Sequence, residues 1–180
     1  MINIVNFGGD YMNNLHKYIA RTVGLIVTLG LSTQAFAATA TGTLTVTATV
    51  ANTCIIGDAT LDFGSYEPVV SHASANLDGS TKVSITCTKG ASAKIYSTTA
   101  IADRKITNQT AGTDALSYTL YTDSGRSTAL GIDDTTGTID VTNATGQAQG
   151  IDLYGRIVGG QNVSAGNYSG TANLTISYTP

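Results

Sequence analysis

The chain has 180 residues, 12% of them charged and 42% hydrophobic, with a formal net charge of −3. Without a basic surplus, nucleic acid is excluded as an expected partner, and a length in this range suits one domain with a single core. Low charge combined with abundant Thr, Ser, Gly, Ala and Asn describes the bland exterior of an exported structural protein rather than the surroundings of an enzyme cleft.

In chain order, residues 1–37 read as a secretory signal, with Met12 as an alternative start. Lys17 and Arg21 supply the positive region, residues 23–31 the apolar core, and Ala35-Phe36-Ala37 the small-x-small cleavage pattern. That core falls well short of the ~20 residues of a membrane-spanning helix, so it is expected to be a leader that leaves Ala38, or the residue after it, at the mature N-terminus. Residues 39–50 alternate without a slip: Thr39, Thr41, Thr43, Thr45, Thr47 and Thr49 against Ala40, Gly42, Leu44, Val46, Ala48 and Val50. A period of two predicts a β-strand with one apolar and one hydroxylated face. Such a strand at the start of a mature chain must find a groove, in its own domain or in another molecule.

Cys54 and Cys87 are the only cysteines, and an even count in an exported chain predicts a Cys54–Cys87 disulfide. A two-cysteine metal site would lack partners, since His72 is the one histidine beyond the leader. Residues 55–66 place apolar residues around a turn at Gly57-Asp58, with Gly64 marking a bulge or a close approach. Residues 69–80 read as a polar loop, with Asp78-Gly79 as a turn signal. Val83, Ile85 and Cys87 alternate in the next strand. Residues 94–98 form a short one, followed by a variable-looking segment through Gly112. Leu116, Tyr118 and Leu120 alternate before the turn Asp123-Ser124-Gly125. Leu130 to Ile132 and Ile139 to Val141 bracket what reads as a hairpin loop. Ile151, Leu153 and Ile157 belong to a strand closed by Gly159-Gly160. The last strand spans residues 171–179, with Ala172, Leu174, Ile176 and Tyr178 on one face. Many short alternating strands at turn spacings near ten residues predict an all-β, two-sheet sandwich with Greek-key links.

Catalytic constellations are weak. His72 sits in a Ser/Ala loop and reads as solvated; no Gly-x-Ser-x-Gly elbow accompanies Ser71 or Ser74. Asp123-Ser124-Gly125 lacks the second carboxylate of an aspartic-protease dyad. Asp133-Asp134 lacks a full ligand series for Ca²⁺. No enzyme, cofactor or metal is expected.

Taken in order, the leader, the alternating arm, Asn52-Thr53-Cys54 and Leu61-Asp62-Phe63-Gly64-Ser65-Tyr66 resemble the opening of spore coat protein U-like domains. So does the closing run Tyr154-Gly155-Arg156-Ile157, Gly159-Gly160-Gln161, Ala165-Gly166-Asn167-Tyr168-Ser169-Gly170 and a final alternating strand. Such domains make up the pilins of archaic chaperone–usher pili. The resemblance implies an incomplete immunoglobulin-like sandwich that lacks its last strand and is completed by a donor strand. It implies a donor arm over residues 38–50, with Leu44, Val46, Ala48 and Val50 as plugs, and a pilin domain over residues 51–180. Ala172, Leu174, Ile176 and Tyr178 would then border the open groove. The implied partners are identical subunits in a head-to-tail homopolymer, a periplasmic chaperone, an outer-membrane usher and minor or tip pilins. The implied location is a surface pilus, reached through the periplasm, that supports attachment and biofilm formation. The alternative is a secreted or pilus-tip binding module, lectin- or adhesin-like, that does not polymerise.

Overall fold

The computed structural model describes residues 37–110 and 113–180; the expected leader lies outside them. The chain divides into two units, Met1–Val46 and Thr47–Pro180. Of the first unit, residues 37–46 are described, and they are exposed and carry no strand.

Among the described residues of the second unit there are nine strands: β1 (Cys54–Ile56), β2 (Leu77–Cys87), β3 (Ala93–Ser97), β4 (Lys105–Asn108), β5 (Ala115–Tyr121), β6 (Ile139–Val141), β7 (Gln149–Ile157), β8 (Tyr168–Ser169) and β9 (Leu174–Tyr178). A 3₁₀ turn, Ile101–Asp103, precedes β4. Strand order is β1-β2-β7-β5-β4-β8 in one sheet and β6-β3-β9 in the other, and every pairing is antiparallel. This is the expected all-β, immunoglobulin-like sandwich. The inward rows follow the alternation of the sequence: Val83, Ile85 and Cys87 from β2, Leu116, Tyr118 and Leu120 from β5, and Leu153 and Ile157 from β7 are all buried. From the second sheet, Ile95 of β3 is buried in one cluster with Ile85 and Cys87.

Two apolar clusters make up the core. One surrounds the disulfide and contains Ile85, Ile95 and Val141; the other contains Leu116, Leu120, Leu130, Leu153 and Ile157. Cys54 and Cys87 stand opposite each other in the β1–β2 ladder and are joined, with an S–S distance of 2.04 Å.

Three local expectations change. Asp78-Gly79 is not a turn: both residues lie inside β2, opposite Arg156 and Gly155 of β7. The Asp78 carboxylate takes two bonds from Arg156 (Nε 2.7 Å, Nη2 2.9 Å), and this cross-strand pair holds an otherwise turn-like dipeptide extended. Residues 98–112 contain β4 rather than an irregular run throughout. Residues 130–132 and 139–141 do not pair as a hairpin. Gly131 N–H bonds the Gly137 carbonyl at 2.7 Å, but β6 goes on to pair with β3 and Leu130 turns into the core. The approach is so close that a Cβ on Gly137, whose φ is +65°, would lie 2.4 Å from the Ala129 carbonyl oxygen.

One buried charge has no precedent in the sequence reading. Arg104 is fully enclosed; it donates from Nη1 to the Leu130 carbonyl (2.9 Å), from Nε to that of Thr99 (3.2 Å) and from Nη2 to that of Gly131 (3.3 Å). Burial pushes its pKa down, and the three carbonyls supply in place of water the acceptors that a guanidinium requires.

Candidate strand-accepting groove

β9 pairs with β3 along one edge and, among the described residues, has no strand paired on the other. Every residue of β9 is only half-buried, including Leu174, Ile176 and Tyr178, which pack against the core, whereas its neighbour Ile95 is enclosed. A strand with a core-facing row and a missing neighbour leaves apolar side chains half wet and main-chain groups without a ladder partner.

Beside it lies a cleft of about 1450 Å³. One wall is the segment from Gly57 to Val69, and the other runs from Val163 to Leu174. Its floor is the six-stranded sheet, through Ile106, Leu116, Tyr118, Leu120, Leu153 and Ile157. At the far end of β9 the gap is closed, where the Asn52 amide donates to the Thr179 carbonyl at 3.1 Å.

Both walls are held by polar contacts. In the first, the Glu67 N–H donates to His72 Nδ1 (2.9 Å), the His72 N–H returns to the Glu67 carbonyl (2.9 Å), and the Tyr66 ring stacks on the imidazole at 5.1 Å. His72 is therefore a half-buried member of a turn, not the solvated loop residue that its surroundings suggested. Tyr66 Oη donates to the Val158 carbonyl (3.3 Å) and accepts from Gln161 N–H (2.9 Å), which ties this wall to the end of β7. In the second wall, Asp114 accepts from Ser164 N–H (2.8 Å) and Oγ (2.6 Å). The Asn108 amide donates to the Ala165 carbonyl at 3.3 Å, and Tyr168 Oη donates to that of Ser164 at 2.7 Å. The two bonds from Ser164, hydroxyl first and then N–H, hold the Asp114 carboxyl below its ordinary pKa. Asp123 accepts from Ser127 and Thr128 N–H, so its triplet is the expected turn. Among the described residues, no group of three or more His, Cys, Asp and Glu side chains is placed to hold a metal.

Ala172 and Leu174 line the cleft, while Ile176 and Tyr178 lie farther along β9 on the disulfide-centred cluster. Leu44, Val46 and Val50 are 86%, 81% and 81% exposed, and Ala48 is exposed as well. The strand expected over residues 39–50 is not formed, because alternation supplies a face but not the partner edge a strand requires. Leu61, Phe63 and the floor residues were not assigned to the groove from sequence. The floor is drawn from β4, β5 and β7, and only topology brings those strands under one opening.

Together these features define an immunoglobulin-like β-sandwich that has, among its described residues, an unpaired strand edge and beside it a cleft with an apolar floor. The chain belongs to the Spore Coat Protein U domain family, which it matches over residues 40–175. It is 37% identical over 178 residues to Protein U of Myxococcus xanthus, covering 88% of this chain and 98% of that one. Among solved structures it is similar to a chain from a chaperone–tip adhesin complex of CFA/I fimbriae biogenesis, at 18% identity and a TM-score of 0.31. That match covers 71% of this chain and 42% of the other, an overlap too slight to inform function.

Proposed function

We propose that the protein is a structural subunit of a surface pilus, secreted through the periplasm and polymerised head to tail by donor-strand exchange. In this reading a periplasmic chaperone first fills the cleft beside β9. At the outer-membrane usher, the arm of the next subunit replaces the chaperone strand, and minor or tip pilins complete the fibre. The fibre would support attachment and biofilm formation.

The observation that carries the reading is the pairing of an unfilled need with an unfilled supply. Among the described residues one edge of β9 has no paired strand, the cleft at its Leu174 end has an apolar floor, and residues 39–50 alternate perfectly while Leu44, Val46 and Val50 stand exposed. Strand addition would supply ladder bonds for affinity and alternate side chains for fit. Full burial of each Leu or Val plug would contribute roughly 1.5–3 kcal/mol before ordering costs, and Ala48 less. Because the arm and the cleft are different surfaces, the contact is heterologous and propagates a filament instead of closing a dimer.

The test is electrophoresis of protein shed from the cell surface, unheated and boiled. The expected result is a ladder of multiples that collapses to monomer on boiling. A single monomer band in the unheated lane would instead point to a non-polymerising secreted module.

A further inference from the structure

The inward row of the β2–β7 ladder has a gap. Leu77 faces Ile157 and Thr81 faces Leu153, but between them Gly79 faces Gly155. Neither glycine has a positive φ, so backbone conformation does not call for glycine at either place. Space does. A Cβ on Gly155 would lie 2.6 Å from Leu61 Cδ2 and 2.8 Å from Phe63 Cζ. One on Gly79 would lie 3.1 Å from Phe63 Cδ1 and 3.2 Å from Leu61 Cδ1. The bare patch of sheet is the seat of these two side chains, as expected where glycine in a strand admits a close approach. From the edge of the pair, Arg126 donates to the carbonyls of Gly155 (3.0 Å) and Gly79 (3.1 Å) and lies 3.3 Å from Asp78. The ladder is thus stitched where it lacks side chains.

Leu61 and Phe63 are also part of the first wall of the cleft. A methyl group on Gly155 would meet the free ends of these side chains, not backbone, so relief comes by swinging them away from the sheet. The open space next to them is the cleft. We propose that the Gly79–Gly155 pair sets the width of the groove by seating Leu61 and Phe63, and so limits the size of side chain that an incoming strand can present there. This inference rests on the strand-accepting reading above and assigns the two glycines as positioning residues for it. They make no contact with the incoming strand themselves.

The test uses the full chain carrying Val46→Asp, whose own arm is disabled as a donor. It is refolded with a fluorescent synthetic peptide of residues 38–50, and peptide release is followed by anisotropy after addition of unlabelled peptide. Adding Gly155→Ala should speed release at least tenfold, because overpacking enters the groove. The disulfide of the peptide-free chain should stay as resistant to thiol labelling as in the parent. Adding Phe63→Leu to Gly155→Ala should bring release back to within about threefold of the parent. Equal release from the parent and Gly155→Ala would overturn the proposal, as would a loss that Phe63→Leu does not recover. Should Gly155→Ala fail to fold, Phe63→Leu alone decides. It should bind at least one peptide enlarged to Leu or Phe at position 46, 48 or 50 at least tenfold better than the parent does, and no gain in any of them would overturn the proposal. A parent that binds no peptide would reject the strand-accepting reading itself, and this inference with it.

Discussion

Val46→Asp is expected to abolish polymer formation while leaving the sandwich and its disulfide intact. Val46 stands in the middle of the apolar row of the arm and is exposed in the isolated chain, so a carboxylate there costs nothing until the arm is inserted. Insertion would carry that charge onto a floor of Leu, Ile and Tyr side chains with no cation among the lining residues. An unpaired buried carboxylate is penalised by far more than one Val plug contributes. Thr45→Ser, on the hydroxylated face, should polymerise like the wild type. Electron microscopy of purified fibres distinguishes the outcomes, and wild-type fibres from Val46→Asp would contradict the donor role of the arm.

Arg104→Ala should strongly destabilise the sandwich, by about 3 kcal/mol. The substitution orphans the buried Leu130 carbonyl, strips the half-buried Thr99 carbonyl of its donor, leaves Gly131 with only the Ser97 N–H at 3.0 Å, and opens a cavity where the Arg104 side chain packed. The fork geometry matters: Arg104→Lys keeps a charge but cannot place three donors on these divergent carbonyls, and should recover only part of the loss. Denaturant unfolding of the monomeric Val46→Asp chain, with and without Arg104→Ala, measures the cost. A loss below about 1 kcal/mol would show that the carbonyls find other donors or water.

What the sequence revealed and what it hid follow from where the information lies. The strands of Val83 to Cys87, Leu116 to Leu120 and Ile151 to Ile157 were legible because each is half-buried, and a buried face leaves a period of two in its own residues. Asp78-Gly79 misled because turn chemistry is local, whereas the forces that override it are not: Arg156 is a cross-strand partner, and Leu61 and Phe63 need the glycine space. β4 was missed because Lys105-Ile106-Thr107-Asn108 offers one large apolar residue, too little for a pattern. Arg104 drew no reading from sequence, since no neighbouring residue in the chain announces that three carbonyls converge on it. The arm was legible as an alternating segment, although it forms no strand here, and the C-terminal strand was legible in its alternation. The open groove was implied only by the resemblance, since the walls and floor of the cleft come from segments far apart in the chain.

The ionic features of the outer face add a pH dependence of known sign. Arg156 beside Asp78, with Arg126 nearby, holds the Asp78 carboxyl below its ordinary value of 3.8. The stabilisation is present above the unfolded pKa and is lost as the pH falls through the lowered folded one. Asp78 is more than a third exposed, so solvent screening keeps the contribution modest.

Hydrogen exchange on intact fibres tests the central claim most directly, because it reads whether the arm becomes a strand. In assembled fibres the amides of residues 39–50 and those of β9 should be protected together. In the monomeric Val46→Asp chain the arm should exchange at the rate of an unstructured peptide. Free exchange throughout residues 39–50 in fibres that remain intact would contradict the account, since the subunits would then be joined by some other surface.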